Sequence, residues 1–161
     1  MSPPTAIVSG VDSVRGVGGA ICMRFAREGY HVMVAGSTPA KIKYVVADIA
    51  ASGVGSTEAS PTDAADRRVR PSHSAWPGSR NGGRCGFQRG QQRPPRLTPL
   101  NTEQFEAFWR VSCYSVFLVG REAERRLLSL GRGTAIFTGA SGRLRGKLGL
   151  RTLRPPRPAC A

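Results

Sequence analysis

The chain has 161 residues and a formal charge of +14, with four cysteines, two histidines and a pI near 11.3. Its cysteines (Cys22, Cys85, Cys113, Cys160) have no C-x-x-C spacing and its histidines (His31, His73) are far apart, which argues against a zinc site or a disulfide framework. No basic leader precedes an apolar run, and no stretch reaches the roughly 18 apolar residues of a membrane span, so a soluble cytoplasmic protein is expected.

The charge is unevenly spread. Residues 1–66 carry 5 basic and 6 acidic side chains, while residues 67–97 carry 8 Arg and no acid. Residues 98–142 carry 5 Arg and 4 Glu, and residues 143–161 carry 6 basic residues and no acid. The excess therefore lies in two segments without readable periodicity, between and after two near-neutral segments that have it. Four regions are expected: an N-terminal βαβ half (1–66), an irregular Arg/Pro/Gly-rich segment (67–97), a long helix plus strand (98–142) and a basic irregular tail (143–161).

"TAIVSG" (5–10) is a β-capable run ending in glycine. "GGAICMRFAREGY" (18–30) follows with helical spacing, Ile21, Cys22, Phe25 and Ala26 on one face and Gly29 suited to the C-terminus. "HVMVAGS" (31–37) is nearly continuous and apolar, as a strand buried on both faces requires. Strand, glycine turn, helix and strand make a right-handed βαβ unit. In the turn, Gly10, Gly16 and Gly18 let a diphosphate approach backbone N–H groups at a helix N-terminus, although glycines also occur in such turns for geometry alone.

This turn resembles the T-G-x-x-x-G-x-G pattern of the short-chain dehydrogenase/reductase family. Ser9 stands where Thr is usual, and five residues rather than three separate Gly10 from Gly16. The wider spacing is similar to that of the divergent enoyl-reductase branch, although Gly16 and Gly18 stand where that branch prefers Ser and Ala. The resemblance implies a Rossmann-like doubly wound parallel sheet of the α/β class. It also implies an NAD(P)-dependent oxidoreductase that moves hydride between cofactor and an alcohol or carbonyl substrate. Ser9, Gly10, Gly16, Val17 and Gly18 would then cradle the cofactor. At the end of the second strand neither the acid that selects NAD nor the Arg that selects NADP is present; Ser37 stands there instead. With Lys41 and Lys43 nearby the resemblance leans weakly to NADP, while a solvated helix face explains both lysines equally. "PTDAAD" (61–66) resembles the family's D-x-x-D after the third strand. Asp63 is there either the adenine-bonding acid or a helix cap.

"GRCGFQRGQQRPPR" (83–96) stands where the family has an apolar strand ending in N-A-G. Glycine, arginine and proline are expected to disrupt that central strand. One codon choice for Gly86–Gln92, read one base later, gives V-F-N-A-G-N-N, and Arg157–Ala161 likewise gives G-L-R-A. The expectation is that residues from about 67 to 96 and from about 147 onward are translated out of frame.

"NTEQFEAFWRVSCYSVFLVGREAERRLLSL" (101–130) predicts one long helix capped by Asn101 or Thr102, and "GTAIFTGAS" (133–141) predicts the next strand and its exit. The helix resembles the one through which the family commonly pairs subunits, implying a homo-oligomer. Ser112 occupies the family's active-site Asn position. Ser141 matches the serine that polarises the substrate carbonyl, and is also ordinary loop chemistry. The family's catalytic Tyr and Lys have no counterpart, since Tyr114 is the last tyrosine. The sheet is therefore expected to be incomplete and truncated at its C-terminal strands, and the chain inactive and weakly packed. The alternative reading is a basic, non-catalytic nucleic-acid-binding protein; the charge permits non-specific binding, but the basic blocks hold only Trp76 and Phe87 as aromatics.

Overall fold

The computed structural model describes residues 3–66, 83–87 and 100–139. Five parallel strands make one sheet: β1 (Thr5–Ser9), β2 (His31–Gly36), β3 (Ser56–Pro61), β4 (Gly83–Phe87) and β5 (Gly133–Phe137). Their spatial order is β3-β2-β1-β4-β5. Helices α1 (Val17–Arg27) and α2 (Pro39–Ala51) connect β1 to β2 and β2 to β3. Between β4 and β5 run α3 (Thr102–Trp109), a π-helical turn (Arg110–Tyr114) and α4 (Ser115–Leu130). Right-handed crossovers put α1 and α2 on one face and α4 on the other, because the chain moves outward from β1 in one direction and from β4 in the opposite one. This is the expected doubly wound α/β sheet, with its direction of winding reversing between β1 and β4.

The core follows from the apolar patterns. Val8, Val32 and Val34 point from β1 and β2 into a cluster with Cys22 and Ala26 of α1 and with Ile42, Val45 and Ile49 of α2. Most of these side chains are fully buried. At about 1.5–3 kcal/mol for each large aliphatic buried, this face dominates the stability of the N-terminal half. Ile7 and Met33 alternate to the opposite face, as strand period dictates. Ile21 and Phe25 pack against the main cluster, so the helix face expected from spacing is the one that is buried.

Helix ends follow local chemistry. Gly29, just past α1, has φ +79°, the left-handed conformation that only glycine adopts cheaply, and Gly131 ends α4 at φ +65°. Asn101 and Gln104 form a reciprocal capping box on α3, with Gln104 N donating to Asn101 Oδ1 at 2.8 Å.

One expectation is corrected. The segment 67–97 was expected to be irregular, with its strand lost, yet Gly83–Phe87 forms β4 between β1 and β5. A parallel ladder needs backbone donors and acceptors, and none of these five residues is proline. The prolines stand outside the strand, at Pro71, Pro77, Pro94 and Pro95. Register is continuous, Thr5 opposite Gly83 and Ser9 opposite Phe87. The remainder of 67–97 and the tail 143–161 lie outside the described residues.

Candidate functional site

The site begins where β1 ends. Gly10 has φ +84°, which turns the chain away from the sheet, and the N–H groups of Gly10 and Val11 both donate to the Ala35 carbonyl at 3.0 Å. This ties the glycine turn to the end of β2. Thr62 N–H in turn donates to the Gly36 carbonyl at 2.8 Å, drawing the end of β3 to the same place. Three strand ends thus meet at the carboxyl edge of the sheet, where open α/β sheets bind ligands.

Two glycines hold this geometry by the absence of a side chain. A Cβ on Gly19 would meet the carbonyl oxygens of Ser13 and Val14 at 2.4 Å. A Cβ on Gly36 would meet Val11 O at 2.5 Å and Ile42 Cγ2 at 2.9 Å. Both distances are far below any real carbon–oxygen contact, so the turn can fold over α1 and β2 only because these positions are glycine. Neither was singled out in the sequence for this role. Their signal was present in "VGGA" and "VAGS", but backbone approach cannot be told there from ordinary turn composition.

A cavity of about 480 Å³ opens between the turn, the start of α1 and the ends of β2 and β3. Ser9, Gly10, Gly16, Val17, Gly18 and Ser37, all expected as cofactor-binding residues, line it. The first turn of α1 has no acidic residue, and its N-cap, Gly16, makes no side-chain hydrogen bond. The N–H groups that open α1 therefore have no carbonyl one turn earlier, and the positive end of the helix dipole faces the cavity. An anion fits such a site: the donors are unfilled and the approach is free of Cβ atoms.

Asp63 does not line the cavity, although its neighbours Thr62 and Ala64 do. Its Oδ1 accepts from Ala65 N–H at 3.0 Å and its carbonyl accepts from Asp66 N–H at 3.1 Å, closing a local turn. Ser112 is exposed within the π-helical turn and is not among the cavity's lining residues. Ser141 lies outside the described residues. Next to Ser112, the buried Ser115 hydroxyl donates to Val111 O at 2.6 Å. That bond competes with the helix ladder at the π turn, a feature the apolar spacing of the helix did not announce.

Sequence reasoning fixed on the glycines and passed over charged residues in the same turn. Asp12 and Arg15 line the cavity, together with Thr38 and Thr62. Lys41 is neither a bare phosphate ligand nor a purely solvated side chain: its Nζ donates to Asp12 Oδ1 at 2.5 Å. Among the described residues one thiol is strongly perturbed, that of Cys22 in the core cluster. Burial pushes Cys22 from 9.0 up to about 12, which makes it an unreactive core residue. Among the described residues no cluster of His, Cys, Asp or Glu could hold a metal, and no helix is long and apolar enough to cross a membrane.

No family model and no curated protein matches the sequence. Solved structures do match. A short-chain dehydrogenase from Rhodopseudomonas palustris is 26% identical, with a TM-score of 0.74 over 94% of this chain and 71% of that one. L-sorbose reductase from Gluconobacter frateurii, complexed with NADPH and L-sorbose, gives a TM-score of 0.82 at 16% identity. That match covers 94% of this chain and 58% of the reductase. A bulky-bulky ketone specific alcohol dehydrogenase from Comamonas testosteroni gives 0.78 at 15% identity, over 95% and 61%. The chain thus spans between 58% and 71% of the lengths of these three.

Proposed function

On the premise that this chain carries the short-chain dehydrogenase/reductase fold, we propose that it binds a nicotinamide dinucleotide at the carboxyl edge of its sheet. The observation that carries the reading is the uncapped α1 N-terminus, facing a cavity lined by Ser9, Gly10, Gly16, Val17, Gly18 and Ser37. The backbone of Val17 and Gly18 would hold the diphosphate, Ser37 would lie by the adenosine ribose, and Asp63 would sit beside the adenine. A nicotinamide held there would be the hydride carrier, and the residues of this chain would bind and orient it. NADP is favoured weakly over NAD by the small Ser37 and by two neighbours whose structures contain NADPH, the sorbose reductase and an actinorhodin polyketide ketoreductase.

The reaction class is hydride transfer between cofactor and an alcohol or carbonyl carbon, with Ser141 as the donor that would polarise the carbonyl. A general acid is needed to protonate the resulting alkoxide. These 161 residues hold no tyrosine beyond Tyr114 to fill that role, and we propose that this stretch by itself binds cofactor without turning it over. Titration of NADPH fluorescence with the purified chain tests the reading, which predicts a saturable change and no cofactor consumption when a ketone is added. A linear, unsaturable signal defeats it.

A second copy of the chain is the partner we propose for α3 and α4. Phe105, Trp109 and Phe117 are each 43–56% exposed along that helix, which supports the reading. We also propose that the stretch around β4 is read one base out of frame. The shifted reading would end the strand with V-F at the positions of Gly86 and Phe87, and N-A-G would follow directly. Sequencing the encoding DNA decides this, and no apolar strand before residue 97 in the shifted frame would refute it.

A further inference from the structure

We propose that Asp12 is a cofactor-selecting residue, whose ion pair with Lys41 lowers the site's affinity for a nucleotide that carries a 2′-phosphate. The inference rests on the dinucleotide reading above and adds to it a determinant lying outside the end of β2, one that acts against the weak lean to NADP drawn from Ser37.

Asp12 stands two residues after the turn glycine Gly10, and Lys41 stands in the first turn of α2. Their contact joins the turn to the helix that follows the ribose-facing strand end. Asp12 lines the 480 Å³ cavity and also an adjoining one of about 580 Å³, which Lys41 borders too. Ser37 and Thr38, between β2 and α2, bring no charge of their own. The lysine that would meet a phosphate at this corner is therefore already neutralised. Beside it is a carboxylate of the phosphate's own sign.

The consequence differs for the two cofactor types. A 2′-phosphate must draw Lys41 away from Asp12 and then sit near an unpaired carboxylate. A 2′-hydroxyl meets no such repulsion and can donate to the second carboxylate oxygen while Lys41 keeps the first. Arg15 lines both cavities and has no ion-pair partner among the described residues. It supplies attraction for an anion whether or not the pair is intact, so Asp12 sets the size of the preference and does not abolish binding. Both partners are more than half exposed, which limits the effect to the modest range of screened charges.

Isothermal titration calorimetry at fixed ionic strength tests this, using adenosine 2′,5′-bisphosphate and 5′-AMP as probes. The chains are the 161-residue protein, Asp12→Asn, Lys41→Met and the double variant. Asp12→Asn is expected to tighten the bisphosphate about three- to tenfold and to leave 5′-AMP within about twofold. Lys41→Met in the Asp12→Asn background should remove that gain. If Asp12→Asn shifts both probes by one factor, or leaves the bisphosphate unchanged, the selection role is overturned while the nucleotide site stands. If neither probe binds any of the four chains, the nucleotide reading falls and this inference with it.

Discussion

At the scale of single residues, two positions make the strongest claims. Gly19 lies in the first turn of α1, where alanine would ordinarily favour the helix by about 1 kcal/mol. Here the added methyl would press on two backbone carbonyls at 2.4 Å, neither of which is a movable side-chain end. Overpacking of that kind costs about 1–3 kcal/mol and outweighs the propensity gain. Gly19→Ala is expected to lower the urea midpoint and weaken nucleotide binding together; an unchanged or raised midpoint would mean the turn is looser than described. Cys22 makes a claim about pH. The unfolded thiol loses its proton near 9, the folded one near 12, so between those values the native state holds one proton more. Stability must then fall as pH rises through that window, by about 1.4 kcal/mol per pH unit from this group. Below pH 9 both states keep the proton and the contribution is constant. Urea titrations of wild type and Cys22→Ala across pH 8 to about 11.5 should diverge with that slope, and parallel curves would refute it.

At the scale of elements, the contrast between α1 and α3 is informative. α3 closes its own N-terminus with the Asn101–Gln104 box and Glu103 in its first turn, whereas α1 has glycine as its cap and no acid. A helix that needed only to be stable would be written like α3. α1 leaves its donors open toward a cavity. Val17, half exposed at the first position of α1, lets this be tested with one change. Val17→Asp places a carboxylate on the positive end of the dipole, a gain of about 0.3–1 kcal/mol. The same charge repels an anionic ligand. The expected result is an equal or higher melting temperature with nucleotide affinity reduced at least about tenfold, since one unfavourable charge contact at close range is worth more than 1.4 kcal/mol. Loss of stability in step with affinity would show that the helix end serves the fold and not a ligand. These elements were legible because their signals are local: "TAIVSG" and "HVMVAGS" are too apolar to lie anywhere but inside a sheet, and Gly29 marks a helix end. β4 was not legible. Its pairing is long-range, with β1 78 residues earlier and β5 50 later, and it is a matter of backbone donors that composition does not reveal. The Asp12–Lys41 pair was hidden for the same reason, being a contact across 29 residues that only the folded turn creates.

At the scale of the whole molecule, charge and fold separate. The described residues include all 10 acids of the chain and 11 of its 24 Lys and Arg. They are therefore nearly neutral, and almost all of the +14 resides in the rest of the sequence. The cavity and the basic segments are distinct in physical character: one is a shaped recess at a helix end, the other a density of Arg among Pro and Gly. Any polycation of this size attracts nucleic acid through counterion release, so binding to duplex DNA by itself distinguishes nothing. What distinguishes the readings is how binding responds to salt and to sequence. If the charge is incidental to function, affinity measured by gel shift should fall as a steep power of salt concentration. It should be the same for unrelated duplexes, and saturating NADPH should not displace the DNA. A duplex preferred at physiological salt, or competition between duplex and dinucleotide, would instead make the basic segments part of the function. The neutral fold would then be the scaffold that presents them.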